Sequence, residues 1–99
     1  MAAQFDLYRV ASGALVLVVQ SDTMEDTATR VVCALVPDGS GLRSSQGLGP
    51  KVALGDDTYR VAPHIVATLT RAELGTKIGN LAHLRDDIIR AFDLLLTGI

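Results

Sequence analysis

Through most of its length the chain sets short runs of Val, Leu, Ile and Ala between clusters of Gly, Ser, Asp and Pro, and only near its end does the apolar spacing become helical. Phe5 to Val10 and Leu15 to Gln20 read as two strands joined through Ala11-Ser12-Gly13-Ala14, an N-terminal hairpin. Leu15-Val16-Leu17-Val18-Val19 is apolar at every position, which predicts a central strand covered on both faces. A polar stretch from Ser21 to Thr29 leads into Arg30 to Val36, a β-branched run that Pro37-Asp38-Gly39 ends with turn chemistry. Ser40 to Pro50 has no periodicity and reads as a loop or a poorly ordered edge. Lys51 to Leu54 and Thr58 to Val61 flank Gly55-Asp56-Asp57 as a second hairpin, and Ile65 to Thr70 reads as a further short strand.

The last element is a helix over about 81–97. Leu84, Ile88, Phe92 and Leu95 recur at four, four and three residues and lay one apolar stripe along it. Asp86 and Asp87 fall in its first turns, where the positive end of the helix dipole favours them, and Asp86 precedes Arg90 at the i,i+4 spacing of a supporting ion pair. Gly98 follows as the stop. Many short strands before one helix predict a mainly β fold, a small strongly curved sheet or barrel with a C-terminal α-helix docked on it.

Length and charge narrow the reading. At 99 residues there is room for one hydrophobic core, so residues 1–99 are expected to form a single domain. A net charge of −2 argues against a broad phosphate-binding surface, which needs clustered Lys and Arg. The one cysteine has no internal disulfide partner, and Met1 to Asp6 lack the pattern of a signal peptide, which together predict a cytoplasmic protein. The longest apolar run, Ala14 to Val19, is far short of the ~20 residues of a membrane-spanning helix.

Candidate chemistry is sparse. The glycine-rich Gly39 to Lys51 lacks the Gly-Lys-Ser/Thr ending and the following helix of a phosphate loop. Cys33 lies inside an apolar strand and reads as core. His64 and His83 show no ligand spacing, so neither metal nor cofactor is expected. Arg30, Arg60, His64 and Asp57 could in principle serve a nuclease, though nothing in their spacing selects them. The odd feature is the C-terminus: Leu94-Leu95-Leu96 precedes Thr97-Gly98-Ile99, so the helix ends apolar where termini usually turn polar. That surface calls for a partner, with a homodimer seam along Leu94, Leu95 and Leu96 and a target-docking tail beside it as the two occupants.

Taken in order, Gln4-Phe5, Val19-Gln20-Ser21-Asp22, Gly55-Asp56, Tyr59-Arg60, Leu81, His83, Asp87-Ile88, Ala91, Leu94 and Gly98-Ile99 resemble the CcdB family of bacterial toxins almost end to end. The resemblance implies a homodimer of SH3-like barrels with the C-terminal helices at the dyad. It implies a non-enzymatic toxin of a plasmid-addiction toxin–antitoxin system, whose paired helix ends enter the DNA gyrase A subunit and trap the DNA-cleaved state. A cognate antitoxin would cover the toxin through a segment that folds on binding, and the pair would repress its own operon, with DNA touched only through the antitoxin. Carried over residue by residue, Thr97, Gly98, Ile99 and Asp93 face the target, flanked by Ser21, Thr23 and Met24.

The tail departs from the family's Trp-Gly-Ile at Thr97, and Asp93 and Leu96 stand where the family has Asn and Phe. Loss of a tryptophan anchor typically costs at least ~2 kcal/mol of binding. The alternatives are an mRNA endonuclease of the MazF type, similar in fold to CcdB, and a non-toxic dimeric member that keeps only antitoxin binding.

Overall fold

The computed structural model describes residues 2–24, 26–39 and 48–98. The alternation in Leu15-Val16-Leu17-Val18 sends Leu15 and Leu17 to one face of a sheet and Val16 and Val18 to the other, and both faces are covered. This strand, β2 (Leu15–Val18), is central, as its composition predicts. Its neighbours are β1 (Asp6–Arg9) and β3 (Thr29–Pro37); beyond them lie β6 (Thr76–Asn80) on one side, and β5 (Asp57–Thr70) then β4 (Lys51–Leu54) on the other. All pairings are antiparallel, and the sheet curls into half a barrel. The fold is the mainly β, curved sheet with one long C-terminal helix that the sequence predicts.

The inner face carries the main core. Phe5, Leu7, Leu15, Leu17, Cys33, Leu35, Val52 and Val61 meet Leu81 and Ile88 there, with Ile89 and Phe92 packed alongside. The helix that closes it, α2 (Arg85–Thr97), follows a 3-10 turn at Ala82–Leu84. Ile88 and Ala91 are buried on α2, whereas Leu95, expected on the same stripe, is 45% exposed. Asp87 pairs with Arg90 at 3.6 Å, i to i+3, in place of the i,i+4 pair expected from Asp86. No helix among the described residues is long and apolar enough to cross a membrane.

A smaller core on the outer face gathers Ala2, Val18, Val32 and Leu74. Leu74 is supplied by a one-turn helix, α1 (Arg71–Leu74), started by a reciprocal cap in which Thr70 accepts the Glu73 N–H and Glu73 accepts the Thr70 N–H. Neither α1 nor β6 is evident from periodicity.

Thr58 to Val61 and Ile65 to Thr70 belong to one strand, not two. On β3, Cys33 and Ala34 are adjacent, but their partners on β5 are Val66 and Ala62, so residues 63–65 form a bulge. Pro63 sits in that bulge, buried, where its missing N–H costs no ladder bond. His64, expected in a connection, is exposed in the same bulge. Of the loop expected over Ser40 to Pro50, residues 40–47 lie outside the described residues.

Candidate functional site

The end of α2 exposes a run of large apolar side chains. Leu94, Leu95 and Leu96 are 44%, 45% and 76% exposed on successive positions of its last turns. Gly98 ends the helix in the left-handed conformation at φ 74°, its N–H donating to the Leu94 carbonyl at 3.0 Å. The Thr97 hydroxyl turns back along the helix and donates to the Asp93 carbonyl at 2.8 Å. It therefore offers its methyl group outward and little else. Asp93, Thr97 and Gly98 lie at this end of the helix; Ile99 lies outside the described residues.

The flanking candidates occupy a second surface. Ser21, Thr23 and Met24 are exposed on the segment between β2 and β3, which makes a 3-10 turn at Asp22–Met24. The sequence favours that turn because Ser21 Oγ accepts the Thr23 N–H at 3.2 Å, a local side-chain bond. Gln20 fastens the segment, donating to the Met24 carbonyl at 3.0 Å and to Thr27 Oγ1 at 2.8 Å while its Oε1 accepts the Val31 N–H at 3.0 Å. Gln4 N–H donates to Asp22 Oδ1 at 2.8 Å. Met24, 55% exposed, stands on a braced platform. Sequence reasoning missed Gln20 as the brace, because a glutamine after a strand carries no pattern of its own.

The four residues weighed for RNA cleavage are not gathered. Arg30 is 3% exposed on the outer face, its Nε donating to the Ala2 carbonyl at 3.0 Å and its Nη1 to the Thr27 and Thr29 carbonyls at 2.7 and 2.9 Å. Arg60 pairs with Val36, six positions along β3 from Arg30, which is about 20 Å of strand. Its Nε donates to the Gly49 carbonyl at 2.8 Å. Burial pushes the Cys33 thiol up to about 12, which removes it as a nucleophile. Among the described residues no group of three His, Cys, Asp or Glu is placed to hold a metal. The open seam of the half-barrel, between β4 and β6, holds a cavity of about 390 Å³ over Leu7, with Lys51, Asn80 and His83 among its lining residues.

The comparisons with known proteins agree on the architecture. A family model described as CcdB protein matches residues 4–98. Among solved structures, an endoribonuclease from Mycobacterial species superposes with a TM-score of 0.77 at 21% identity, covering 96% of this chain and 90% of that one. An endoribonuclease in complex with its cognate antitoxin, also from Mycobacterial species, superposes with a TM-score of 0.77 at 20% identity, covering 97% and 95%. These matches overturn the expectation that the chain is no enzyme: proteins titled endoribonuclease carry this fold over nearly its whole length.

Proposed function

The chain belongs to the CcdB protein family, and on that footing we propose that it is the toxin of a toxin–antitoxin pair, acting on the DNA gyrase A subunit through the end of α2. In this reading it works in the cytoplasm as a homodimer. Leu94, Leu95 and Leu96 form the seam, Asp93, Thr97 and the residues after it face the target, and gyrase is held in its DNA-cleaved state. A cognate antitoxin neutralises it, and DNA is touched only through that antitoxin, which supports repression of their own operon. The observation that carries the reading is the row of exposed leucines, apolar surface of a kind that soluble proteins reserve for partners. With its hydroxyl turned into the helix, Thr97 supplies less contact than an aromatic side chain, so the grip is expected to be weaker than one built on tryptophan.

RNA cleavage is the second reading, favoured by the fold shared with the mycobacterial endoribonucleases. One preparation tests both. Supercoiled plasmid incubated with gyrase, ATP and the protein is expected to become linear, and a form lacking Gly98 and Ile99 is expected to leave it supercoiled. Plasmid untouched while RNA is cut would overturn the gyrase reading in favour of RNA; harmless overexpression with neither effect would reduce the role to antitoxin binding.

A further inference from the structure

The segment between β2 and β3 fastens its backbone and leaves one large side chain loose. The Met24 carbonyl accepts from Gln20 Nε2 at 3.0 Å and from the Thr27 N–H at 3.2 Å, and the Met24 N–H donates to the Ser21 carbonyl at 3.0 Å. The small polar groups beside it are spent on each other: Ser21 Oγ and Thr23 Oγ1 share a hydrogen bond of 2.9 Å. The Met24 side chain lies outside both cores and is 55% exposed. What this platform offers a partner is therefore chiefly a thioether, which is flexible, polarizable and apolar.

The other sulfur described is closed to oxidants. Cys33 is fully buried, and with its thiol pushed up to about 12 it is not the thiolate that reacts with peroxides. Of the chain's two methionines, Met24 is the one among the described residues. A peroxide arriving from solvent meets Met24 with no competition from the core.

We propose that Met24 is an oxidation site at which hydrogen peroxide turns the platform from apolar to polar. The thioether sulfur takes one peroxide oxygen: an S–O bond forms as the O–O bond breaks, and the proton on the transferred oxygen passes to the oxygen that leaves as water. The sulfur is oxidised to the sulfoxide and the peroxide is reduced. Two thiols reverse the step, removing the oxygen as water and ending joined as a disulfide. The turn is held by backbone and Gln20 contacts that the sulfur does not share, so the sulfoxide changes the surface and leaves the fold intact. The consequence for binding rests on the gyrase reading above, with Met24 among the flanking target contacts. A partner surface that accepts a thioether must then desolvate an S=O dipole with no donor placed for it. Oxidation loosens the grip while the leucines of α2 stay as they were.

The test treats the full chain with millimolar hydrogen peroxide, then with catalase and desalting, so that gyrase never meets the oxidant. Peptide mass mapping is expected to find one added oxygen at Met24 and none at Cys33. Melting should not move, and the dissociation constant for the gyrase A subunit should rise roughly 10-fold, returning after methionine sulfoxide reductases and dithiothreitol. Met24→Leu, compared with itself before and after peroxide, is expected to show no change in affinity. A Met24 that stays reduced while free methionine in the same solution is oxidised overturns the site. Oxidation at Met24 with affinity unchanged overturns the switch, as does an equal loss in Met24→Leu, which places the sensitive atom elsewhere. A chain that binds no gyrase before oxidation overturns the gyrase reading and this consequence with it, while the mass map still decides the site.

Discussion

The side-chain amide of Asn80 donates to Oδ1 of Asp6 across 2.8 Å, joining residues 74 apart in sequence at the start of β1 and the end of β6. The other carboxylate oxygen accepts the Ala3 N–H at 2.9 Å, and Lys77 Nζ lies 3.3 Å from Oδ1. Burial by itself would raise this carboxyl, but the donors from Asn80, Ala3 and Lys77 outweigh it and hold Asp6 below its ordinary value of 3.8. A carboxyl lowered by folding stabilises the protein above its unfolded value and loses that contribution as pH falls through the lowered one. Urea unfolding across an acid pH series is therefore expected to show stability falling below about pH 4. Asp6→Asn should be about 1–3 kcal/mol less stable at pH 7 and should show a shallower acid limb. An unchanged midpoint in Asp6→Asn would show that the cluster contributes nothing net.

Arg30 is a structural cation. Its bonds to the Ala2, Thr27 and Thr29 carbonyls tie three pieces of backbone together on the outer face, and removal takes the Arg30 donor from the buried Ala2 carbonyl. Arg30→Ala is expected to cost about 3 kcal/mol or more, and Arg30→Lys to recover only part of it because an ammonium cannot reproduce the planar fork. Activity per folded molecule, assayed below the melting transition, should be unchanged. Activity lost at full stability would return Arg30 to a chemical role.

Cys33, fully buried with its thiol pushed up to about 12, should resist iodoacetamide at pH 8 in the native protein and react fully in denaturant. Labelling followed by mass spectrometry is then expected to report opening of the core, at a rate that falls as stabilising salt is added.

Gly75 has φ 78° and ψ −129°, and a Cβ there would strike the Arg9 carbonyl oxygen and stand 3.1 Å from the Val10 Cα. Gly75→Ala should cost roughly 3 kcal/mol, a fall in melting temperature of about 12 °C or more for a domain of this size. Gly79→Ala, where an added Cβ meets nothing within 4 Å, should melt within a few degrees of the parent, and similar losses at both sites would refute the steric account.

How far the sequence could be read depends on which force shaped each element. β2 and β3 were legible because each carries a continuous apolar run rich in Val and Leu, and α2 because Ile88 and Phe92 repeat at helical spacing. From sequence β5 reads as two strands, since Pro63 is a strand breaker locally, and only the pairing with β3 shows the bulge that absorbs it. β6 has one large apolar residue, Ile78, among Thr, Lys, Gly and Asn, and is a strand because β1 offers it an edge. Of the candidate site, the apolar end of α2 followed from Leu94-Leu95-Leu96. The inward turn of the Thr97 hydroxyl and the Gln20 brace did not, since each is a hydrogen bond to a carbonyl whose position only the fold supplies.

The pairing of the first strand with the last sets an order in time. During synthesis β1 can zip to β2 early, but its other edge waits until Thr76 to Asn80 have cleared the ribosome. Leu81, whose N–H donates to the Phe5 carbonyl at 2.8 Å, fixes where α2 starts, so the helix cannot dock until the sheet is complete. Until α2 has emerged, the nascent chain is thus a sheet without a lid, its inner face open to chaperones. The leucines at the end of α2 follow every strand of the sheet in the chain, so they take their places only after the surface that α2 packs on has formed.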